Sequence, residues 1–238
     1  MKLGLFSDPH YSEKESACVT RRPSLSYGKI RDAMDAFTAA GCDLVLCLGD
    51  LVDCCDTIEE DRRRIDELNG MISSYPVPFY SLMGNHDYQN FTREEFSRRT
   101  SYPPFFLRFG DITLIFPDAN FMDNGTADGQ IYAKDAIDWT NAYLPAEACE
   151  KLRAVLADEE TVRAYVFLHQ NLDPAVEEHH VIRNADAVRA VLRESGKVCA
   201  VYQGHFHPGH ESIIDGIPYV TLPAMCEGDA NPYRVVEI

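Results

Sequence analysis

Three short apolar runs in the first 83 residues, at 2–7, 43–48 and 77–83, each stop abruptly at a polar cluster, reading SDPH, GDLVD and GNHD in turn. Between them the chain reads as helix. Residues 24–40 carry Ala, Met and Phe at helical spacing, and 58–74 open at Thr57 with Glu60 three residues on, the pattern of a capping box. Strand-length runs alternating with helix-length segments predict βαβ units and a mostly parallel sheet.

The pattern changes beyond residue 90. The string TREE at 92–95 repeats the capping pattern, and 105–116 reads as a β-hairpin turning at Gly110-Asp111. Residues 117–144, rich in Asp, Asn, Gly and Tyr without a clean period, read as a long surface excursion placed to lie over a site. A helix at 146–157, a strand at 163–168, a helix at 185–195 and a strand at 198–203 follow. Strands at 209–214 and 217–222 meet at a DG turn, and 233–238 closes the chain. With no repeat, linker or low-complexity tract, the reading is one α/β domain over residues 1–238 with two packed sheets.

Composition narrows the function. The 238 residues are 45% hydrophobic, enough for one large core. No stretch approaches the ~20 apolar residues of a membrane span. The opening MKLGLFSDPH reaches Asp and His too early for a secretory leader, so a cytoplasmic location without a membrane partner is expected. The eight cysteines show no CxxC spacing, and several sit inside apolar runs, which predicts reduced, buried thiols. A formal charge of −16 repels polyanions, which argues against nonspecific nucleic-acid binding. Any phosphate chemistry must then import positive charge, most simply as metal ions.

Five apolar runs end at once in metal-binding chemistry: Asp8 and His10; Asp50 and Asp53; Asn85, His86 and Asp87; His169; and His205 with His207. In open α/β sheets the carboxyl ends of the strands gather at one rim, where such residues converge. Asp, neutral His and an Asn carbonyl suit Mn, Fe or Zn, and the absence of Cys from the motifs argues against a structural zinc site. Seven ligands serve two ions if one carboxylate is shared. No phosphate-binding glycine motif of the G-x-x-x-x-G-K-[ST] or G-x-G-x-x-G kind is present.

The ordered series D-x-H, G-D-x-x-D, G-N-H-D, a lone strand-end His and G-H-x-H, spanning residues 8–207, resembles the calcineurin-like metallophosphoesterases. The resemblance implies a four-layer α/β/β/α sandwich of two mixed sheets with a dinuclear metal site at the rim of strand carboxyl ends. It implies Asp8, His10 and His207 on one ion, Asn85, His169 and His205 on the other, Asp50 bridging, and Asp53 as a support for the ligands. It further implies hydrolysis of a P–O bond by a metal-bridging hydroxide, with two ions ~3.5–4 Å apart. His86 would protonate the leaving oxygen or stabilise charge on the phosphoryl group, Asp87 would accept a hydrogen bond from the His86 ring, and Gly84 would let the backbone turn sharply.

The substrate expected is a small phosphate ester or nucleotide. The stretches RRPSLSYGKIRDAMDAF, GNHDYQNFTREEF and DGIPYVTLPAMCEGDANPYRVVEI are similar to manganese-dependent ADP-ribose/CDP-alcohol diphosphatases, which would imply nucleoside diphosphate-linked substrates. The alternatives are a cyclic-nucleotide or general phosphodiesterase, a phosphomonoesterase, and a metal-poor scaffold that binds proteins. Arg21 and Arg22 are candidates to meet a substrate phosphate. Tyr88, Phe91, Tyr132 and Phe206 are candidates to stack on a base, with core packing the default. His210 is near enough to GHFH to line the pocket, whereas His179 and His180 are expected as solvated loop residues.

Overall fold

Strands buried on both faces need apolar side chains at consecutive positions. The first two strands, β1 (Lys2–Phe6) and β2 (Leu44–Cys47), are buried at every position after Lys2. The computed structural model describes residues 1–54, 57–122, 130–131 and 138–238, the side chains of 130 and 131 excepted. Joining β1 to β2 is α1 (Ser26–Ala39), and α2 (Ile58–Ile72) leads from β2 to β3 (Phe79–Ser81). Thr57 and Glu60 close the capping box of α2: the Thr57 hydroxyl accepts from the Glu60 amide at 3.3 Å, and the Glu60 carboxylate accepts from the Thr57 amide at 3.1 Å.

Two short helices follow, α3 (Asn85–Asn90) and α4 (Arg93–Arg99), then the hairpin β4 (Phe106–Phe109) and β5 (Ile112–Ile115). After β6 (Phe121–Met122), β7 (Gln130–Ile131) and β8 (Ala142–Tyr143) come α5 (Ala146–Ala157), β9 (Arg163–Phe167), α6 (Ala185–Ser195) and β10 (Val198–Gln203). The chain ends with β11 (His210–Ile214), β12 (Ile217–Thr221) and β13 (Arg234–Glu237). One sheet has the order β13-β1-β2-β3 and the other β11-β12-β10-β9-β5-β4. Both are mixed: β1, β2 and β3 run parallel with β13 antiparallel, and β5, β9, β10 and β12 run parallel between antiparallel edges.

Successive side chains on a strand point to opposite faces, and this sorts the core into layers. Leu3, Leu5, Leu44 and Leu46 meet Leu114, Phe167, Tyr202 and Val220 between the two sheets. The alternate residues Phe6, Val45 and Cys47 pack outward on Ile30, Met34 and Phe37 of α1 and on Ile65, Leu68 and Ile72 of α2. On the far side, Ile115, Val166 and Val201 pack on Leu152 and Leu156 of α5 and on Val188 and Leu192 of α6. The result is the expected α/β/β/α sandwich.

The excursion at 117–144 departs from expectation: β6, β7 and β8 pair there as a small three-stranded sheet. Strands of two residues, paired across a long insertion, are too short to carry a period. Tyr132 and Cys55 lie outside the described residues. The seven other cysteines are free thiols, with Cys18 exposed. No described helix is long and apolar enough to cross a membrane.

Leu46, fully buried between the sheets, is predicted to be costly to shorten: Leu46→Ala should lower unfolding free energy by ~2–5 kcal/mol. Leu25→Ala, at a side chain 42% exposed, should stay within about 0.5 kcal/mol. Urea melts of both variants check the contrast.

Candidate metal centre

Parallel strands carry their carboxyl ends to the same side, and here the two sheets bring those ends to one another. The His169 ring beyond β9 reaches the Leu48 carbonyl beyond β2, with Nδ1 2.9 Å from the oxygen. The His205 amide beyond β10 donates to the Asp8 carboxylate beyond β1 at 3.0 Å, and the Met225 amide donates to the Ser7 carbonyl at 2.9 Å. These bonds close the rim between the sheets and set the predicted ligands face to face.

Asp50 sits at the centre. Its Oδ2 lies 3.4 Å from His10 Nε2 and 3.4 Å from His169 Nε2, so one carboxylate oxygen faces both halves of the cluster. On one side His207 Nε2 lies 3.2 Å from His10 Nε2 and 3.6 Å from Asp8 Oδ1. On the other, Asn85 Oδ1 lies 3.2 Å from His169 Nε2, and His205 completes a set of ligand atoms with Asp50 and His169, all within 4.8 Å of one another. The seven residues therefore gather around Asp50, close enough to one another to hold metal ions.

The local backbone is bent to achieve this. Asp8, His10, Asp50 and His205 have φ of 52°, 46°, 53° and 67°, the left-handed region that non-glycine residues seldom occupy. Such conformations cost of order 1–3 kcal/mol each and persist where the surroundings over-determine them. Two glycines make room. A Cβ on Gly49, whose φ is +106°, would stand 2.5 Å from the His169 ring, and one on Gly84 would fall on the Asp50 carboxylate. Gly84 itself is extended, with φ −100° and ψ −176°, so its part is to admit Asp50 rather than to make the expected sharp turn.

Helix α3 explains the three adjacent polar side chains of GNHD. Consecutive helical residues project about 100° apart, so each faces a different neighbour. Asn85 points into the cluster. Asp87 turns back to the helix start, where its carboxylate accepts from the amides of Gly84 at 2.9 Å and of Leu51 and Val52 at 3.2 Å. His86, with a side chain 22% exposed, sets its ring edge-on to His10 at 4.4 Å between centroids. The partner of the His86 ring is Asp53, with Oδ1 3.0 Å from Nδ1, and not Asp87 as expected, because the backbone amides engage the Asp87 carboxylate.

Electrostatics mark the cluster as a place for cations. Burial would raise the Asp50 carboxyl, yet the rings of His169, His86 and His10 hold it well below the usual range. Burial also opposes charge on His10, but Asp50, Asp53 and Asp8 raise it to about 10, and Asp50 likewise lifts His169 to about 9. Protons thus bind tightly where nothing else supplies positive charge. His205 is pushed down by burial and by the neighbouring His169 charge, and burial lowers His207 too, so both are neutral imidazoles suited to ligation.

The residues fit a dinuclear transition-metal site. His205 Nε2 is buried with no hydrogen-bond partner among the described residues, an arrangement that a metal would satisfy. Supporting contacts aim the other rings. His169 Nδ1 is engaged by the Leu48 carbonyl, and His207 Nδ1 lies 2.6 Å from Glu227 Oε1, which leaves each Nε2 facing the cluster. Glu227 was invisible in the sequence because it belongs to no motif and lies twenty residues beyond GHFH.

The other candidates divide. Arg21 lies beside Glu227, Nε to Oε1 3.8 Å, and its charge is felt at His10 and His207. Arg22 instead donates to the carbonyls of Val19 and Arg21 at 3.1 and 3.0 Å. Tyr88 is buried and donates to Asp118 at 2.7 Å, and Phe91 is buried in the outer core, so neither offers a face to a base. His210 opens β11 with Nε2 3.9 Å from Asp173, and belongs to none of the ligand groups. His180 corrects the reading as a solvated loop residue: its ring lies 5.0 Å from His205 and 5.2 Å from the half-exposed Phe206. Burial and the adjacent His179 lower it to about 4. Trp139, which carried no signal inside the aperiodic 117–144 segment, also stands 5.3 Å from His205.

Comparison with known proteins agrees with this geometry. The family model described as calcineurin-like phosphoesterase matches residues 1–209. The chain is 25% identical over 234 residues, 95% of its length and 77% of the relative's, to the 3',5'-cyclic adenosine monophosphate phosphodiesterase CpdA of Haemophilus influenzae. Among solved structures, a dimetal phosphatase from Danio rerio superposes with a TM-score of 0.78 at 18% identity, covering 98% of this chain and 91% of that one. GAP50, the anchor in the inner membrane complex of Plasmodium, superposes at 0.61 with 14% identity, covering 93% and 70%. These structural likenesses speak for the fold alone. With the family model covering most of its length, the chain belongs to the calcineurin-like phosphoesterase family and is a metal-dependent phosphoester hydrolase.

Proposed function

We propose that this protein is a dinuclear phosphodiesterase acting on small nucleotide-type substrates. The observation that carries the reading is Asp50 Oδ2, placed 3.4 Å from a histidine of each ligand group with His86 beside it on the open side. A cyclic nucleotide is favoured by the similarity to CpdA, whose name describes that activity. A nucleoside diphosphate-linked substrate of the ADP-ribose or CDP-alcohol kind is the second reading, supported by the stretches around Arg21 and Asn85. The protein-binding scaffold is disfavoured, since a scaffold has no need of seven ligands and His86 all in place.

Bound divalent Mn, Fe or Zn would supply Lewis acidity to the phosphate oxygens and acidify a water nucleophile. The chain's own residues do the rest. Asp8, His10 and His207 would hold one ion, Asn85, His169 and His205 the other, and Asp50 both. Asn85 contributes a neutral oxygen, which limits the negative charge that the ions see. Asp53, with Oδ1 3.0 Å from His86 Nδ1, would orient the ring so that Nε2 meets the leaving oxygen, where it donates a proton. Arg21, beside His10 and His207, adds positive charge on the side where a substrate phosphate would dock.

The test is a hydrolysis panel with Mn²⁺-reconstituted protein: cyclic AMP, ADP-ribose, CDP-choline, bis-p-nitrophenyl phosphate and p-nitrophenyl phosphate. Turnover led by cyclic AMP is the expected outcome, turnover led by the pyrophosphates selects the second reading, and turnover of the monoester alone refutes the diesterase reading. Asp50→Ala should lose at least one metal per chain by elemental analysis together with nearly all hydrolysis; full occupancy and activity would contradict the shared ligand. Asp53→Asn should keep both metals while slowing kcat by roughly 10–100-fold. An unchanged rate would remove Asp53 and its contact to His86 from the chemistry.

A further inference from the structure

Beside the ligands Asn85, His169 and His205, rings from separate segments gather at the rim. The indole of Trp139 has its centroid 5.3 Å from each of His179, His180 and His205. The His180 ring in turn meets Phe206 at 5.2 Å. The indole's three ring contacts among the described residues are edge-on or tilted, at 69°, 49° and 79°, and none is a parallel stack. Trp139, His180 and Phe206 are each only partly buried, so the rings line an open wall rather than fill a core.

Local contacts hold the wall in place. The Asp138 carboxylate accepts from the Thr140 amide at 3.1 Å and fixes the turn Trp139–Asn141. The His180 carbonyl accepts from the Asn171 amide at 3.2 Å, and Glu177 Oε2 lies 3.1 Å from His179 Nε2. Asn171 is two residues beyond the ligand His169, so wall and ligands share one backbone frame.

Resting on the phosphodiesterase reading above, we infer that Trp139, with His180 and Phe206, forms a base-stacking subsite that binds the nucleobase of a nucleotide substrate. Arg21, whose charge is felt at His10 and His207 and which lies 3.8 Å from Glu227, adds a cation near the other ligand group, so the cluster offers both positive charge and flat rings to a molecule with a phosphate and a planar base. Aromatic platforms accept any base, because every base presents a π-face. The subsite therefore sets the substrate class.

Trp139 is the only tryptophan in the chain, so intrinsic fluorescence reads it directly. The experiment titrates Zn²⁺-loaded protein, free of paramagnetic quenching, with AMP and with ribose 5-phosphate, which lacks the base. AMP should change Trp139 emission saturably and ribose 5-phosphate should not; no response to AMP, or equal responses to both, overturns the subsite. In kinetics, Trp139→Ala should raise KM for nucleotide substrates roughly tenfold or more, the scale of a base–aromatic stack. KM for glycerophosphocholine, a diester without a base, should stay unchanged, and Trp139→Phe should restore most of the nucleotide affinity. Equal losses on both substrates would show that the ring only supports the fold. Saturable AMP binding without phosphodiester turnover would refute the phosphodiesterase reading and leave the subsite, whereas turnover without a base-dependent response would refute the subsite alone.

Discussion

A carboxylate buried where two sheets meet is sustainable only if positive charge meets it there, and Asp50 is such a group. It is almost wholly buried, its Oδ1 accepts the His86 amide at 2.8 Å, and its Oδ2 faces His10 and His169. Desolvating an unpaired carboxylate costs more than a protein's entire net stability can absorb. The site around Asp50 is therefore built to concentrate cations, as protons on His10 and His169 in the metal-free chain or as metal ions in their place. The convergence of the strand ends, the left-handed backbone at Asp8, His10, Asp50 and His205, and the side-chain-free approach of Gly84 all follow from placing that one carboxylate where both ligand groups reach it.

The same constraint separates positioning from chemistry in GNHD. Were Asp87 the partner of His86, the start of α3 would lose the acceptor for the Gly84 amide, and the loop that carries Asp50 would lose the one that braces its Leu51 and Val52 amides. Asp53, three residues beyond Asp50 on that loop, takes the role instead. It lies 3.0 Å from His86 and 3.7 Å from His10, so one carboxylate contacts both rings. Glu227 does the corresponding work for His207 from the far end of the chain.

Much of this was legible in the sequence, for identifiable reasons. Strands whose faces are both buried announce themselves as apolar runs, and a polar cluster straight after such a run marks a strand end at the rim. The residues that gather around Asp50 could be picked out because each lies within a few residues of a strand end. The capping box at Thr57 and the N-cap at Thr92 were readable because their chemistry is local. What depended on tertiary pairing was not: the two-residue strands β6, β7 and β8 have no period, Glu227 reaches His207 across twenty residues, and Trp139 and His180 gain their place only where the turn Trp139–Asn141 and the loop at His180 come up to His205. The Asp87 assignment failed because adjacency in sequence does not put neighbouring helical side chains in contact.

The central claim is that one carboxylate organises two metal ions supplied by the ends of two sheets. Anomalous diffraction from crystals soaked in Mn²⁺ tests it most directly. Two peaks are predicted, one touching Asp8, His10 and His207 and the other Asn85, His169 and His205, with Asp50 in contact with both. A single peak, or two peaks that do not share Asp50, would contradict the account.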